Sequence, residues 1–116
     1  MSNTASLLEN ITYKKDKAAI TVLLKTNHSK EIRIVMKEGQ TMKEHKAPFP
    51  IVIELFEGSI HFGVNGKKQV LKKGDLIALE GNVPHDLTCI SDCIIRLSLS
   101  IKDSADRVEK VVNKVN

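Results

Sequence analysis

Short runs of apolar residues, each ended by glycine, proline or asparagine, follow one another through most of the chain. Several runs alternate apolar and polar positions with a period of two, as where Ile60, Phe62 and Val64 share one face of a predicted strand. The pattern predicts about nine strands. The clearest cover residues 18–24, 31–37, 51–56, 59–64, 69–71, 76–79, 85–90 and 94–101. Such a series, with Asn65-Gly66 as a strong hairpin signal, indicates an all-β barrel or sandwich.

The apolar positions take up a helical period only after residue 102, where Asp103 or Ser104 can cap the start of a helix. The apolar stripe of this helix consists of Ala105, Val108, Val111, Val112 and Val115. A helix so short and so rich in valine is not stable alone. We therefore expect the helix, at about residues 103–115, to pack on the outside of the barrel or on a partner subunit.

Composition limits the class of protein. A chain of 116 residues with 41% hydrophobic residues is expected to form one globular domain. The net charge of +4 comes from lysines scattered over turns and outward positions, without the clustered cations or stacking aromatics of a nucleic-acid-binding protein. No apolar run approaches the length of a membrane span, and no secretion signal is evident. We expect a cytoplasmic protein that binds neither nucleic acid nor membranes.

One stretch of the chain carries residues that bear on chemistry. Gly39 is followed six residues later by His45, and a closing Gly58 follows after a proline-rich loop. Between them, Ala47 stands two residues after the histidine and Ile51 stands four residues further on.

A second stretch begins about forty residues later. It starts with Gly74-Asp75, continues through Glu80-Gly81, and ends with Pro84 followed by His85. The histidine thus lies just after a turn, at the start of a predicted strand. Together with the first stretch, and in the same order around the Asn-Gly hairpin, it forms a paired pattern.

The two stretches resemble the paired motifs of the cupin superfamily, over roughly residues 34–100. The resemblance implies one cupin domain over residues 1–116, a jelly-roll β-barrel at about residues 10–101 and a C-terminal helix. It also implies a divalent metal between three histidines and a glutamate, of which this chain retains His45 and His85. Ala47 and Ile51 occupy the positions of the other two donors, so a metal is expected to bind weakly or not at all. A similar His-x-Ala-Pro-x-Pro run occurs in small uncharacterised bacterial cupin-2 type proteins.

Other side chains could complete a metal site. His61 falls on the outward face by the alternation of its strand, and His28 lies in a polar turn. Cys89 shares the inward parity of His85, so it could supply a third ligand. Otherwise Cys89 and Cys93 are expected to be small buried residues, since a disulfide is disfavoured in a reducing compartment.

The resemblance, together with the alternation, places apolar side chains in the barrel interior beside the two histidines. The predicted ligand-binding residues are His45, His85, Ile51, Ile53, Phe62 and Leu87, with Leu55, Ile60, Met36 and Met42 as further candidates. Such a cavity suits a small, partly apolar ligand. The same side chains could equally fill the barrel solid.

Three hypotheses follow. The first is a cupin that binds a small molecule near the histidines, whose imidazoles could hydrogen-bond an anionic or phenolic group. The second is a metal-dependent dioxygenase or isomerase, or a metal-free acid–base catalyst, that uses His45 and His85. The third is a non-catalytic structural or interaction protein. Cupins are commonly dimers, so a homodimer is expected, with Leu7, Leu8 and Ile11 as apolar anchors.

Overall fold

The computed structural model describes residues 2–113, which form nine strands and one helix. In chain order these are β1 (Ala19–Lys25), β2 (Ser29–Met36), β3 (Thr41–His45), β4 (Ile51–Glu57), β5 (Ser59–Val64), β6 (Lys67–Lys72), β7 (Leu76–Leu79), β8 (His85–Cys89), β9 (Cys93–Ser100) and α1 (Ala105–Val112). The predicted all-β class is confirmed. β3 is the one strand that the sequence pattern did not delimit.

The strands form two antiparallel sheets. One has the order β1-β2-β9-β4-β7 and the other has the order β3-β8-β5-β6. Alternating side chains of both sheets meet in one aliphatic core, in which Ile32, Leu55, Ile60 and Phe62 are fully buried. The inward parity predicted for β5 is therefore confirmed. With few aromatic side chains, the stability of this core comes from the burial of branched aliphatic surface.

Two glycines fix the turns that join β4 to β5 and β5 to β6. The β5–β6 hairpin turns at Asn65 (φ 51°) and Gly66 (φ 81°), the two positive φ values that a type I′ turn requires. Gly58, between β4 and β5, has a φ of 84°, and a Cβ there would overlap the carbonyl oxygen of Asp92. The first glycine thus meets a conformational requirement, whereas the second meets both a conformational and a steric one.

The outer face of the five-stranded sheet carries a second, smaller core. Residues 6–13 pack across it, and the cluster comprises Ala19, Val35 and Ile94 with Leu7, Ile11, Tyr13 and Phe56. Two of the predicted dimer anchors, Leu7 and Ile11, therefore contact their own sheet, while Leu8 is 61% exposed. The homodimer itself stays a prediction.

Arg33 fastens this N-terminal segment to the sheet. Its side chain is buried, and Nη1 donates hydrogen bonds to the carbonyl oxygens of Glu9 (2.7 Å), Leu7 (3.4 Å) and Ser6 (3.5 Å). Nη2 donates to the carbonyl oxygen of Asn10 (3.3 Å). A charged donor that meets several carbonyls in a buried setting makes stronger hydrogen bonds than a neutral donor does.

The C-terminal helix packs on the barrel of its own chain, which is one of the two expected places. Ser104 caps α1 by accepting a hydrogen bond from the Arg107 amide. The helix side chains Val108 and Val111 join the main core. α1 contacts β1 and β3, an edge strand of each sheet, so it packs across the opening between them. Val115 of the predicted stripe lies outside the described residues. Within residues 2–113, no helix has both the length and the apolar character needed to cross a bilayer.

Arg33→Met is expected to release the N-terminal segment, because the backbone carbonyls lose their charged donor. The free energy of unfolding should fall by about 1–3 kcal/mol, and the amides of residues 6–10 should exchange hydrogen faster. Arg96→Met, which removes a partly exposed arginine from the same sheet, is the matched control. Unchanged exchange in Arg33→Met would show that the segment is held by its apolar contacts alone.

Gly58→Ala and Gly66→Ala separate backbone strain from steric overlap. Both glycines have positive φ values, but a Cβ at Gly66 meets nothing within 4 Å. Chemical denaturation should show that Gly58→Ala costs about 2 kcal/mol more than Gly66→Ala. Equal losses would mean that the loop at Asp92 moves aside freely.

Candidate functional site

A β-bulge brings the two histidines together. Met42 pairs with Leu87 and His45 pairs with His85, so two residues of β3 oppose only Asp86 on β8. Without the extra residue, the alternation along β3 would turn His45 away from the interior. With the bulge, the centroids of the two imidazole rings lie 4.3 Å apart at an interplanar angle of 61°.

Each ring is oriented by the backbone carbonyl oxygen of the residue two positions before it. Nδ1 of His45 lies 2.6 Å from the carbonyl oxygen of Lys43, and Nδ1 of His85 lies 2.9 Å from that of Val83. Because a carbonyl only accepts, Nδ1 must carry the proton in both rings. In the neutral form each lone pair is then on Nε2, the arrangement that prepares a histidine to bind a metal ion or a hydrogen-bond donor.

The surroundings of His85 favour its neutral form. Burial is the main cause that lowers its pKa; the hydrogen bond to Val83 opposes this, and the positive charge of Arg107 lowers the pKa further. Phe62 stacks on the ring, with centroids 5.8 Å apart and planes 25° from parallel. His85 is 4% exposed, whereas His45 is half-buried at the rim.

A small cavity adjoins the pair, between the sheets and under α1. Its volume of about 20 Å³ is room for about one water molecule. It is lined by Ile34, Met42, His45, Ile51, Ile53, His85, Leu87, Ile95, Leu97, Arg107 and Val108. Five of the six predicted ligand-binding residues are therefore together at this cavity. The sixth, Phe62, adjoins it through its stacking on His85.

Sequence reasoning missed the contribution of the helix. Arg107 and Val108 line the cavity, but no residue of the helix was among the predicted site residues. One signal was available: Asp103 and Arg107 are four residues apart at the start of the helix, a spacing that favours an ion pair on one face. The valine stripe predicted a buried face but not the surface against which it packs.

The loops of the two motif stretches, near Ala47 and Gly81, contact each other beside the cavity. The Asn82 amide donates to the carbonyl oxygen of Ala47 (2.6 Å). A Cβ on Gly81 would come within 2.8 Å of the carbonyl oxygen of Pro48, so glycine permits this close approach. Ala47 is buried, and Ile51 lines the cavity with a hydrocarbon side chain.

The donor set does not fit a catalytic divalent metal. Such a site needs about three protein ligands, and among the side chains of residues 2–113 no group of three or more histidines, cysteines, aspartates or glutamates could hold an ion. Cys89 is four residues from His85 on β8, roughly 13 Å at the usual rise of a strand. Cys89 therefore does not join the histidine pair.

Cys89 instead lies beside Cys93, and both are buried free cysteines, as expected. A hydrogen bond with Cys89 and burial raise the pKa of the Cys93 thiol, which keeps it protonated. His61 and His28 are both exposed, as their positions predicted. The chemistry of the interior is therefore that of His45 and His85, with Arg107 at the cavity.

Comparison with known proteins agrees on the fold. No protein-family model and no curated protein matches the sequence. Among solved structures, an RmlC-like cupin protein from Desulfovibrio desulfuricans has a TM-score of 0.79, with 16% identity over 86% of this chain and 97% of that chain. An RmlC-like cupin from Shewanella frigidimarina has a TM-score of 0.75, with 20% identity over 92% and 96%.

A third solved structure is an uncharacterized conserved protein with a double-stranded β-helix domain from Klebsiella pneumoniae. Its TM-score is 0.75, with 21% identity over 86% of this chain and 90% of that chain. At such identities the similarity shows the fold and does not transfer a function. The chain folds as a small cupin-type domain, as the paired motifs predicted.

The lowered pKa of His85 predicts how stability depends on pH. The unfolded chain, with a histidine pKa near 6.5, binds a proton more readily than the folded chain does. The contribution of neutral His85 is therefore complete above about pH 6.5 and is lost as the pH falls through the lower folded-state pKa. Urea denaturation between pH 5 and pH 8 should show this loss, and His85→Gln should reduce it.

His28→Gln, which replaces an exposed histidine, is the control and should keep the wild-type profile. An NMR titration that gives His85 in the folded chain a pKa at or above that of a histidine in the unfolded chain would contradict the prediction.

Proposed function

We propose that this cupin-type domain binds a small, partly apolar molecule through a hydrogen-bond donor, such as a hydroxyl group, placed between His45 and His85. The supporting observation is the pair itself: two imidazoles 4.3 Å apart, each held through Nδ1 by a backbone carbonyl. Backbone anchoring of this kind presents Nε2 of both rings as an acceptor. The aliphatic walls contributed by Ile51, Ile53 and Leu87 suit a short hydrocarbon part.

The ligand must make room for itself. A cavity of about 20 Å³ admits about one water molecule, and Val108 of α1 forms part of its lining. We infer that the ligand enters when Val108 withdraws. The helix is eight residues long and is held to the barrel by apolar contacts and by hydrogen bonds from Lys17 to Asn113 and from Arg107 to the carbonyl oxygen of Lys46. Short elements with few buried contacts open at low free-energy cost.

The nearly filled interior favours one alternative, a non-catalytic protein whose homodimer is its function. In that case His45 and His85 would be packing residues, with their Nδ1 atoms satisfied by the backbone. The hypothesis of a metal-dependent dioxygenase or isomerase has less support, because two imidazoles without a third ligand hold a dication weakly. Elemental analysis of untagged protein tests that hypothesis directly.

NMR chemical-shift titration with 2-hydroxybutyramide and with butyramide tests the proposed function. The hydroxyl-bearing amide should bind several-fold more tightly than butyramide, because its hydroxyl adds a donor for Nε2 beyond the amide N–H groups that both compounds carry. His85→Ala should abolish this difference, whereas His61→Ala, which changes an exposed histidine of β5, should preserve it.

Val108→Ala, which enlarges the cavity, should tighten the binding of both amides. If neither amide perturbs His45 or His85 in the wild type or in Val108→Ala, the ligand-binding proposal fails. Light scattering then becomes the decisive measurement, since a dimer at micromolar concentration would support the alternative.

A further inference from the structure

The cavity has a cationic side chain that neither motif supplies. Arg107 lines it together with His45 and His85. Among the described residues that line this cavity, Arg107 alone is permanently charged. In a small site with apolar walls, one fixed charge decides which ligands are tolerated, since the surrounding low dielectric strengthens its field.

The Arg107 guanidinium makes hydrogen bonds to Asp103 and to the backbone near His45. Nε donates to Oδ1 of Asp103 (2.7 Å) and Nη2 donates to Oδ2 (2.9 Å), so the guanidinium grips the carboxylate with two parallel bonds. Nη1 donates to the carbonyl oxygen of Lys46, the neighbour of His45, at the longer distance of 3.3 Å. A guanidinium has five N–H groups, and these bonds use three of them.

The start of the helix is fixed even if the rest of it moves. The Asp103 side chain is 2% exposed, and besides Arg107 its Oδ1 accepts the amide of Ser104 (2.7 Å). Lys30 Nζ donates to the Asp103 carbonyl oxygen (2.6 Å). Arg107 lies in the first turn beside these anchors, so Val108 can withdraw with the later turns while the guanidinium stays at the cavity.

We propose that Arg107 selects the ligand of this site by charge, and that the ligand is a small carboxylate with a hydroxyl group, such as a short-chain hydroxy acid. The carboxylate accepts from Nη1 and the hydroxyl donates to the histidine pair. Asp103 already occupies the other edge of the guanidinium, so it competes with the ligand. The inference rests on the proposed function, because it assigns a second group of the ligand bound at His45 and His85.

The test compares 2-hydroxybutyrate with 2-hydroxybutyramide, which has the same shape without the charge, in NMR titrations of the full chain. The wild type should bind the carboxylate about tenfold more tightly than the amide, as a charge-assisted hydrogen bond implies. Arg107→Gln should reduce this ratio to near one, mainly by weakening the binding of the carboxylate. Asp103→Asn should raise the ratio, since it removes the competing carboxylate.

Arg96→Gln is the matched control. Arg96 also pairs with carboxylates, those of Glu31 (2.7 Å) and Glu54 (2.8 Å), but on the outer face of the five-stranded sheet. The Arg96→Gln variant should keep the wild-type ratio of carboxylate affinity to amide affinity. Circular dichroism of each variant establishes that it is folded, and the comparison of the two ligands on the wild type needs no variant.

Equal binding of carboxylate and amide by the wild type would overturn the role of Arg107 and leave the histidine site intact. A wild-type preference that persists in Arg107→Gln would also overturn it, by assigning the selection to another cation. If neither compound binds, even in Val108→Ala, the proposed function fails and this inference fails with it.

Discussion

The register between β3 and β8 is the constraint on which the site depends. Because two residues of β3 oppose the single Asp86 of β8, His45 comes opposite His85 on the inner face. The carbonyl oxygens of Lys43 and Val83 then fix the two rings in the same way, one on each strand. Loss of the bulge would turn His45 to the outside and would separate the pair, although the two sheets could still pack.

The surroundings decide what the pair can do. With Nδ1 of each imidazole held by a backbone carbonyl, Nε2 is the atom that can accept from a ligand's proton donor, but two imidazoles neutralise a dication poorly. Ala47 and Ile51 supply hydrocarbon where further donors would be needed for firm metal binding. Arg107, on the helix that packs against β1 and β3, adds one positive charge, and this charge forms an ion pair with Asp103. We therefore propose hydrogen bonding and charge selection as the chemistry of this site.

Much of the fold could be predicted from local patterns. The alternation of Ile60 and Phe62 and the Asn65-Gly66 turn fixed β5 and its hairpin, because strand parity and turn geometry are properties of neighbouring residues. The histidines could be located from motif spacing. The bulge that turns His45 inward could not, since nothing in residues 41–45 indicates an unpaired residue. It results from the pairing with β8.

The contribution of the helix was unpredictable for a similar reason. The valine stripe indicates a buried face, but whether it packs on the barrel of its own chain or on a partner is decided by tertiary packing. The position of the helix brings Arg107 and Val108 to the cavity, which both of them line. Likewise, Arg33 lies on the outward face of β2, yet it is buried because residues 6–13 cover it.

The most direct test of this account is the tautomeric state of the two histidines, measured by long-range ¹H–¹⁵N NMR correlation at pH 7.5. The account predicts neutral rings with the proton on Nδ1 and the lone pair on Nε2 in both His45 and His85. A proton on Nε2 of either ring, with Nδ1 unprotonated, would contradict it, because the backbone carbonyls would then not orient the pair.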